Sequence, residues 1–147
     1  MRLMKDERPT GGPTTSGGGD HDWGPLVDRL TERKTLAAGM GGTALVERQH
    51  SLGKLTVRER LDLLLDPGTW IEYGMLADSM DGAYADRFLA ADGAVTGVGE
   101  VDGRRIAVAA YDFTVLAGSM GRIGEQKIKR TSAKPERGHK EIAVSLW

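Results

Sequence analysis

The pattern of apolar and polar positions predicts a β-hairpin in the middle of the chain. Two β-prone stretches flank Asp102-Gly103, and an Asp-Gly pair at such a position is typical of a type I′ turn. The second stretch, Ile106 to Tyr111, is continuously apolar, which favours a strand buried on both faces. The region Ala91 to Gly121 is therefore predicted to be a hairpin leading through a glycine-containing loop into a helix. Such a loop is a frequent ligand site in α/β folds, although more often it is only a connection.

Helices are predicted before the hairpin. Pro25 suits the first turn of a helix that ends near Gly39, and Trp23 is expected to act as its hydrophobic staple. A second, shorter helix is predicted from Thr43 to about Leu52, with Gly53 as its left-handed stop. The apolar face of the first helix consists of Leu26, Val27, Leu30 and Leu36.

The strongest local signal predicts a helix from Thr56 to Leu65. Thr56 and Glu59 have the spacing of a capping box, in which each side chain binds the backbone N–H of the other residue. Asp66-Pro67-Gly68 ends the helix sharply. The expected buried stripe is Val57, Leu61, Leu64 and Leu65.

The remaining segments give weaker patterns. Trp70 to Tyr73 alternates apolar and polar residues as a half-buried strand does, and Met75 to Ala90 is predicted to be a loop with at most one helical turn. Ser119 to Ser132 is predicted to be a helix, in which glycines 121 and 124 would allow another group to come close. Its weak apolar face is Met120, Ile123 and Ile128. Glu141 to Trp147 resembles a strand with no covering helix after it, which suggests an incomplete domain.

Composition adds limits rather than a function. The 147 residues suggest one domain, and 39% hydrophobic and 28% charged residues fit a globular protein. Twenty basic residues nearly balance twenty-one acidic ones, so charge gives no argument for nucleic acid or a membrane surface. The absence of cysteine excludes disulfides and thiolate metal sites within the chain. Gly, Pro, Thr and Ser dominate the first segment, and Met1 to Asp22 is predicted to be a disordered tail.

Few residues offer chemistry by spacing alone. The three histidines, at positions 21, 50 and 139, lack metal-ligand spacing, and Asp78 and Asp81 fall in a polar loop where solvation is the simpler explanation. Gly97-Val98-Gly99 lies inside a strand and opens no helix, so it fails the context of a dinucleotide-binding motif. The cations that cluster at a helix start could meet phosphates or could simply be a solvated helix end; they are Lys54, Arg58 and Arg60.

Four ordered motifs carry a specific resemblance. Residues 49–61 read Gln-His-Ser-Leu-Gly-Lys-Leu-Thr-Val-Arg-Glu-Arg-Leu, and residues 64–70 read Leu-Leu-Asp-Pro-Gly-Thr-Trp. Residues 92–97 read Asp-Gly-Ala-Val-Thr-Gly, and residues 112–121 read Asp-Phe-Thr-Val-Leu-Ala-Gly-Ser-Met-Gly. In this order and spacing the chain resembles the N-terminal part of the biotin-dependent acyl-CoA carboxylase carboxyltransferase (beta) subunits. This family includes propionyl-CoA carboxylase β-chains and methylmalonyl-CoA decarboxylase α-chains.

The resemblance implies an α/β (α+β) fold, here a partial crotonase-like ββα superhelix domain preceded by N-terminal helices. It implies transfer of CO₂ from N1-carboxybiotin to the α-carbon of an acyl-CoA, such as acetyl-CoA or propionyl-CoA. Biotin would be carried on a separate carrier protein and not bound covalently to this chain. The implied partners are an acyl-CoA substrate, a biotin carrier or biotin carboxylase subunit, and further copies in a homo-oligomer, with no nucleic acid or membrane. The implied location is cytoplasmic.

The resemblance also implies where the chain departs from the family. The family continues after the segment matching Ser132 to an Asp-Ser-x-Gly-Ala-Arg motif and a second domain, which this sequence lacks. In the family, the backbone N–H donors for the enolate oxygen come from a Gly-Gly-Ala or Ala-Gly-Ala stretch of the N-domain and from a second set in the second domain, so no catalytic residue is carried over. The expected organisation is a tail over 1–22, part of a carboxyltransferase N-domain over 23–132 and a divergent, truncated end over 133–147. The substrate-binding residues that the resemblance implies are Phe113, Gly118, Ser119, Gly121, Lys54 and Arg58.

Two interpretations follow. The chain is either an N-terminal carboxyltransferase fragment that is inactive alone, or a non-catalytic interaction module or gene remnant that pairs with a full-length subunit through exposed strand edges.

Overall fold

The structure, a computed structural model, describes residues 22–79, 82–84, 87–132 and 140–141. The predicted tail before Asp22 and the predicted terminal strand after Glu141 lie outside the described residues. The elements in chain order are α1 (Gly24–Ala38), α2 (Thr43–Ser51), α3 (Val57–Leu64), β1 (Ile71–Tyr73), β2 (Ala94–Val101), β3 (Arg104–Tyr111), α4 (Arg122–Ser132) and β4 (Lys140–Glu141). The strands form one sheet in the order β1-β2-β3-β4, antiparallel except for the β3–β4 pair.

The predicted hairpin is confirmed. β2 and β3 pair along their whole length, from Ala94 opposite Tyr111 to Val101 opposite Arg104. The two turn residues, Asp102 and Gly103, have φ values of 50° and 69°, the left-handed conformation that a type I′ turn requires at both positions. The carboxylate of Asp66 accepts hydrogen bonds from both turn amides, which ties the end of α3 to the hairpin.

One face of the sheet is covered by α3. Thr56 and Glu59 form the predicted capping box at its start, which is confirmed in both directions. The helix contributes Val57, Leu61 and Leu65 to a core with sheet residues Val95, Ile106, Val108 and Ala110. Leu64 was also expected in this stripe, but it lies on the solvent side of the helix, 36% exposed.

Glycines 97 and 99 of β2 have a packing role. A Cβ at Gly97 would lie 2.7 Å from the Trp70 ring, and one at Gly99 would lie 3.0 Å from Leu65. The two glycines therefore make room on the sheet for large side chains, and the Gly-x-Gly pattern in this strand is explained without a nucleotide.

The short strand β1 is present as predicted, but its faces are reversed. Ile71 and Tyr73 are 59% and 49% exposed, whereas the Glu72 side chain between them is only 8% exposed. The reversal has a physical cause: the Arg58 guanidinium from α3 binds the Glu72 carboxylate from the buried side. A paired charge therefore takes the position that alternation would give to an apolar residue.

The first two helices form where they are predicted. The α2 helix is followed by Gly53 in a left-handed conformation with φ 69°, as expected. Trp23 is itself the N-cap residue of α1, not the residue before the cap, so the staple prediction is wrong. Ala37 is the buried residue of α1. The larger apolar side chains of the helix are exposed: Leu26, Val27, Leu30 and Leu36.

The last helix, α4, begins at Arg122, three residues later than Ser119. Ile123 and Ile128 are half-buried, and between Arg122 and Thr131 the buried residues are Gly124 and Lys127. Between β1 and β2 the predicted helical turn is present as a 3₁₀ turn, Gly82–Tyr84.

Candidate functional site

A small cleft opens where β3 ends, beside the start of α3. The elements meet here because the capping box fixes the direction of α3 and the buried β3 delivers its last residues to the same place. The cleft is lined by Gln49, Leu55, Thr56, Val57, Arg60, Tyr111, Asp112, Phe113 and Thr114.

The Lys54 and Phe113 side chains lie next to each other beside this cleft. The Lys54 ammonium lies 5.8 Å from the centroid of the Phe113 ring, a cation–π geometry. Phe113 is 42% exposed. Gly118, at φ 83°, lies close to the ring, since a Cβ there would lie 2.8 Å from Phe113 Cδ2. A positive charge and a partly exposed aromatic ring therefore lie together beside the cleft.

Asp112 anchors the floor of the cleft. Its side chain is buried, and its Oδ1 accepts hydrogen bonds from the Thr114 amide at 2.9 Å and from the Thr114 hydroxyl at 2.6 Å. The same hydroxyl accepts a bond from the Gly41 amide at 2.9 Å, so the cleft is tied to the α1–α2 connection. Burial raises the pKa of the Asp112 carboxyl, while the bonds from Thr114 and the positive charge of Arg58 oppose that rise.

The predicted substrate-binding residues do not all converge. Lys54 and Phe113 are adjacent, and Gly118 contacts Phe113. Arg58 instead forms a two-pronged ion pair with Glu72, at 2.7 and 3.2 Å, and its charge is directed to the sheet. Ser119 is exposed further along the loop, while Gly121 packs against Asp92. The role of all six residues in substrate binding stays a prediction.

Two buried charged residues were not identified from the sequence. Lys127 of α4 is 9% exposed and Asp92 is 1% exposed. Burial lowers the pKa of Lys127 from 10.5 to about 8, although the negative charges of Glu72 and Asp92 act in the opposite direction and Arg58 adds to the lowering. The available signal was the helix phase: Lys127 lies three residues after Gly124, on the stripe that faces the sheet.

His50 is engaged with the capping box. Its Nε2 lies 3.0 Å from both carboxylate oxygens of Glu59. The hydrogen bond from His50, together with those from the Thr56 amide and hydroxyl, lowers the pKa of Glu59 to about 2. Within residues 22–79, 82–84, 87–132 and 140–141, no group of three or more His, Cys, Asp or Glu residues could hold a metal ion. Nor is any helix in that part of the chain long and apolar enough to cross a membrane.

Comparison with protein families gives a match over residues 48–144 to the carboxyl transferase domain. The propionyl-CoA carboxylase carboxyltransferase subunit of Haloferax mediterranei is 39% identical over 110 residues, which are 74% of this chain and 21% of that protein. The methylmalonyl-CoA carboxyltransferase 12S subunit of Propionibacterium freudenreichii subsp. shermanii is 39% identical over 107 residues, covering 71% of this chain and 20% of that one. The chain thus spans about a fifth of the length of these relatives.

Solved structures of carboxyltransferase subunits resemble this chain in fold. A transcarboxylase 12S crystal structure, described as a hexamer assembly with methylmalonyl-coenzyme A bound, superimposes with a TM-score of 0.70 at 38% identity, covering 74% of this chain and 22% of that one. The geranyl-CoA carboxylase beta subunit of P. aeruginosa, with a TM-score of 0.55 and 24% identity, supports the fold alone. The expected mixed α/β, partial crotonase-like fold class is confirmed.

Proposed function

Because this chain belongs to the carboxyl transferase family, we propose that it forms part of the acyl-CoA side of a biotin-dependent carboxyltransferase site. The reaction would move CO₂ from carboxybiotin on a separate carrier protein to the α-carbon of an acyl-CoA of the acetyl- or propionyl-CoA type. Carboxybiotin would supply the activated carboxyl group. We assign no residue of this chain to biotin.

The pairing of Lys54 with Phe113 carries this proposal. Coenzyme A combines phosphates with an adenine ring and a pantetheine arm that carries amide groups. A lysine ammonium is a compact cation suited to phosphate, and an exposed phenylalanine ring offers a face for a planar or apolar group. The two groups lie 5.8 Å apart at the mouth of the cleft, so one ligand can contact both.

On this proposal, the chain binds acyl-CoA but does not catalyse carboxyl transfer by itself. Carboxylation needs fixed N–H donors for the oxygen of the thioester enolate. The resemblance assigns such donors to a Gly-Gly-Ala or Ala-Gly-Ala stretch and to a second set in a further domain, and neither tripeptide occurs in this sequence. The segment 23–132 would therefore supply ligand contacts and structural support, with biotin carrier, biotin carboxylase subunit and further carboxyltransferase copies as partners in the cytoplasm.

Calorimetric titration of the full chain with propionyl-CoA tests the binding half of the proposal. We expect Lys54→Ala and Phe113→Ala each to weaken binding by about tenfold, roughly the loss of one charge-assisted or aromatic contact. The matched controls are Lys34→Ala, an exposed lysine, and Leu36→Ala, an exposed apolar residue on the same helix. Absence of binding by the wild-type chain, or equal affinity of all four variants, would contradict the proposal.

Carboxyl transfer from free carboxybiotin to propionyl-CoA tests the second half. The purified chain is expected to give no product above the uncatalysed rate. Sustained turnover by the chain alone would show that the inactivity proposal is wrong, whatever the titration gives.

The exposed apolar face of α1 favours a second candidate function, a non-catalytic module that pairs with a full-length subunit. Four large apolar side chains on that helix are exposed: Leu26, Val27, Leu30 and Leu36. Size-exclusion chromatography with and without a full-length carboxyltransferase subunit tests it. Co-elution that Leu26→Glu abolishes is expected under this function, whereas a monomer that ignores the subunit would contradict it.

A further inference from the structure

The segment from Asp112 to Gly121 carries Phe113 and is attached at both ends to one turn, Ala90–Gly93. At its beginning, the Asp112 amide donates to the Gly93 carbonyl at 3.0 Å. At its end, the Gly121 amide donates to the Asp92 carbonyl at 3.3 Å. The position of the whole segment therefore depends on the shape of this turn.

The turn has a conformation that needs support. Ala91, Asp92 and Gly93 have φ values of 52°, 51° and 73°, three successive left-handed residues. For a residue with a side chain this conformation costs about 1–3 kcal/mol and persists only where neighbouring structure enforces it. Alanine is a poor residue for such a position because its short side chain forms no local hydrogen bond in return.

Lys127 provides that support from α4. Its buried Nζ donates to the carbonyl of Ala91, at 3.0 Å, and to the carbonyl of Ala94, so the ammonium bridges the two sides of the left-handed residues. Hydrogen bonds from a charged donor are roughly twice as strong as those between neutral groups. In the opposite direction, the Asp92 carboxylate accepts from the Gly124 amide of α4 at 2.8 Å. Hydrogen bonds thus join α4 and the turn in both directions.

Two glycines, Gly121 just before α4 and Gly124 within it, make this mutual contact possible. A Cβ at Gly121 would lie 2.2 Å from Asp92 Oδ1, and one at Gly124 would lie 2.5 Å from the Asp92 carbonyl oxygen. Neither position tolerates a side chain without displacing the turn. The close approach that the sequence suggested at 121 and 124 is therefore made by Asp92.

We infer that Lys127 is a positioning residue, which holds the left-handed turn Ala90–Gly93 and through it the segment Asp112–Gly121 that presents Phe113. Lys127 touches no ligand in this arrangement. Its effect on acyl-CoA binding rests on the proposed function, but its effect on the segment does not.

Amide hydrogen exchange of the full chain tests the inference directly. In Lys127→Met we expect the amides of Asp112, Gly121 and Gly124 to exchange about ten- to a hundredfold faster, the effect of losing hydrogen bonds to a charged group. Amides in the middle of β2 and β3 should change less than about twofold, since Lys127 binds the hairpin at its open end, at Ala94, and not in its middle. Lys129→Met is the matched control, because that lysine is on the same helix with its side chain 72% exposed.

Chemical rescue separates the ammonium from the bulk of the side chain. The chain has no cysteine, so Lys127→Cys can be alkylated at one site while unfolded and then refolded. Aminoethylation restores an ammonium at nearly the lysine length, and propylation gives an apolar side chain of similar size. We expect slow exchange at Gly121 and Gly124 only in the aminoethylated protein, together with recovery of propionyl-CoA affinity.

Two results would overturn the inference. One is wild-type exchange at Gly121 and Gly124 in Lys127→Met. The other is a uniform loss of protection across hairpin and segment in both Lys127→Met and the propylated protein, since Lys127 would then support the fold in general. Failure of the wild-type chain to bind propionyl-CoA would count against the proposed function and leave the exchange result to decide this inference.

Discussion

The buried ion pair between Arg58 and Glu72 gives the sharpest prediction about stability. Its two hydrogen bonds measure 2.7 and 3.2 Å, and the side chains are 21% and 8% exposed. Removing one partner of a buried pair leaves an uncompensated charge and costs about 3–5 kcal/mol. Since water reaches part of Arg58, we expect about 2–4 kcal/mol for either single change to methionine.

The two single variants should not be equal. Glu72→Met leaves the cations Arg58 and Lys127 in a common buried region without the carboxylate that faces both. Arg58→Met leaves Glu72 with Lys127 still nearby to compensate its charge. Glu72→Met is therefore expected to be the more destabilising change, and it should also lower the pKa of Lys127 further.

Urea unfolding of the four proteins in the double-mutant cycle measures these energies, with tryptophan fluorescence and far-UV circular dichroism as probes. The double variant should be more stable than the sum of the single changes predicts, by about 1–3 kcal/mol, because no unpaired charge remains. Glu125→Gln removes an exposed pair and should leave the unfolding midpoint unchanged. Additive single effects, or an equal effect in that control, would refute the assigned role of burial.

Three further predictions concern titration and packing. The pKa of Lys127 falls from 10.5 to about 8 on folding, so the unfolded chain binds more protons than the folded chain between these pH values. The free energy of unfolding should therefore rise from pH 8 to 10.5 in wild type, and it should rise less in Lys127→Met. Urea midpoints measure this difference. Folding lowers the pKa of Glu59 from 4.5 to about 2. The Glu59 carboxylate therefore contributes to the free energy of unfolding above pH 4.5, and this contribution is lost on acidification towards pH 2. Glu59→Gln should flatten an acid titration of ellipticity over that range. Gly124→Ala should destabilise by about 1–3 kcal/mol despite better helix propensity, because its Cβ would meet the Asp92 carbonyl, whereas exposed Gln126→Ala should not lower the thermal midpoint.

Part of the candidate site could be predicted from the sequence because the family motifs include residues that lie far apart in the chain. The resemblance placed Phe113 and Lys54 among the binding residues, and the structure brings them together. Arg58 lies on the same motif, yet its partner is on a strand fourteen positions away along the chain. No local pattern identifies that partner, so the sequence could not separate Arg58 from Lys54.

What the sequence alone determined are features set by a few neighbouring residues: the turn at Asp102-Gly103, the capping box that starts α3 and the left-handed stop at Gly53. Each depends on backbone conformations and hydrogen bonds that span only a few residues. The tertiary structure alone decided which charges are buried. Glu72 is buried because Arg58 neutralises its charge, and Lys127 is buried because the carbonyl of Ala91 accepts its hydrogen bond. These partners are distant in sequence, so they are available only after the sheet and helices have packed together.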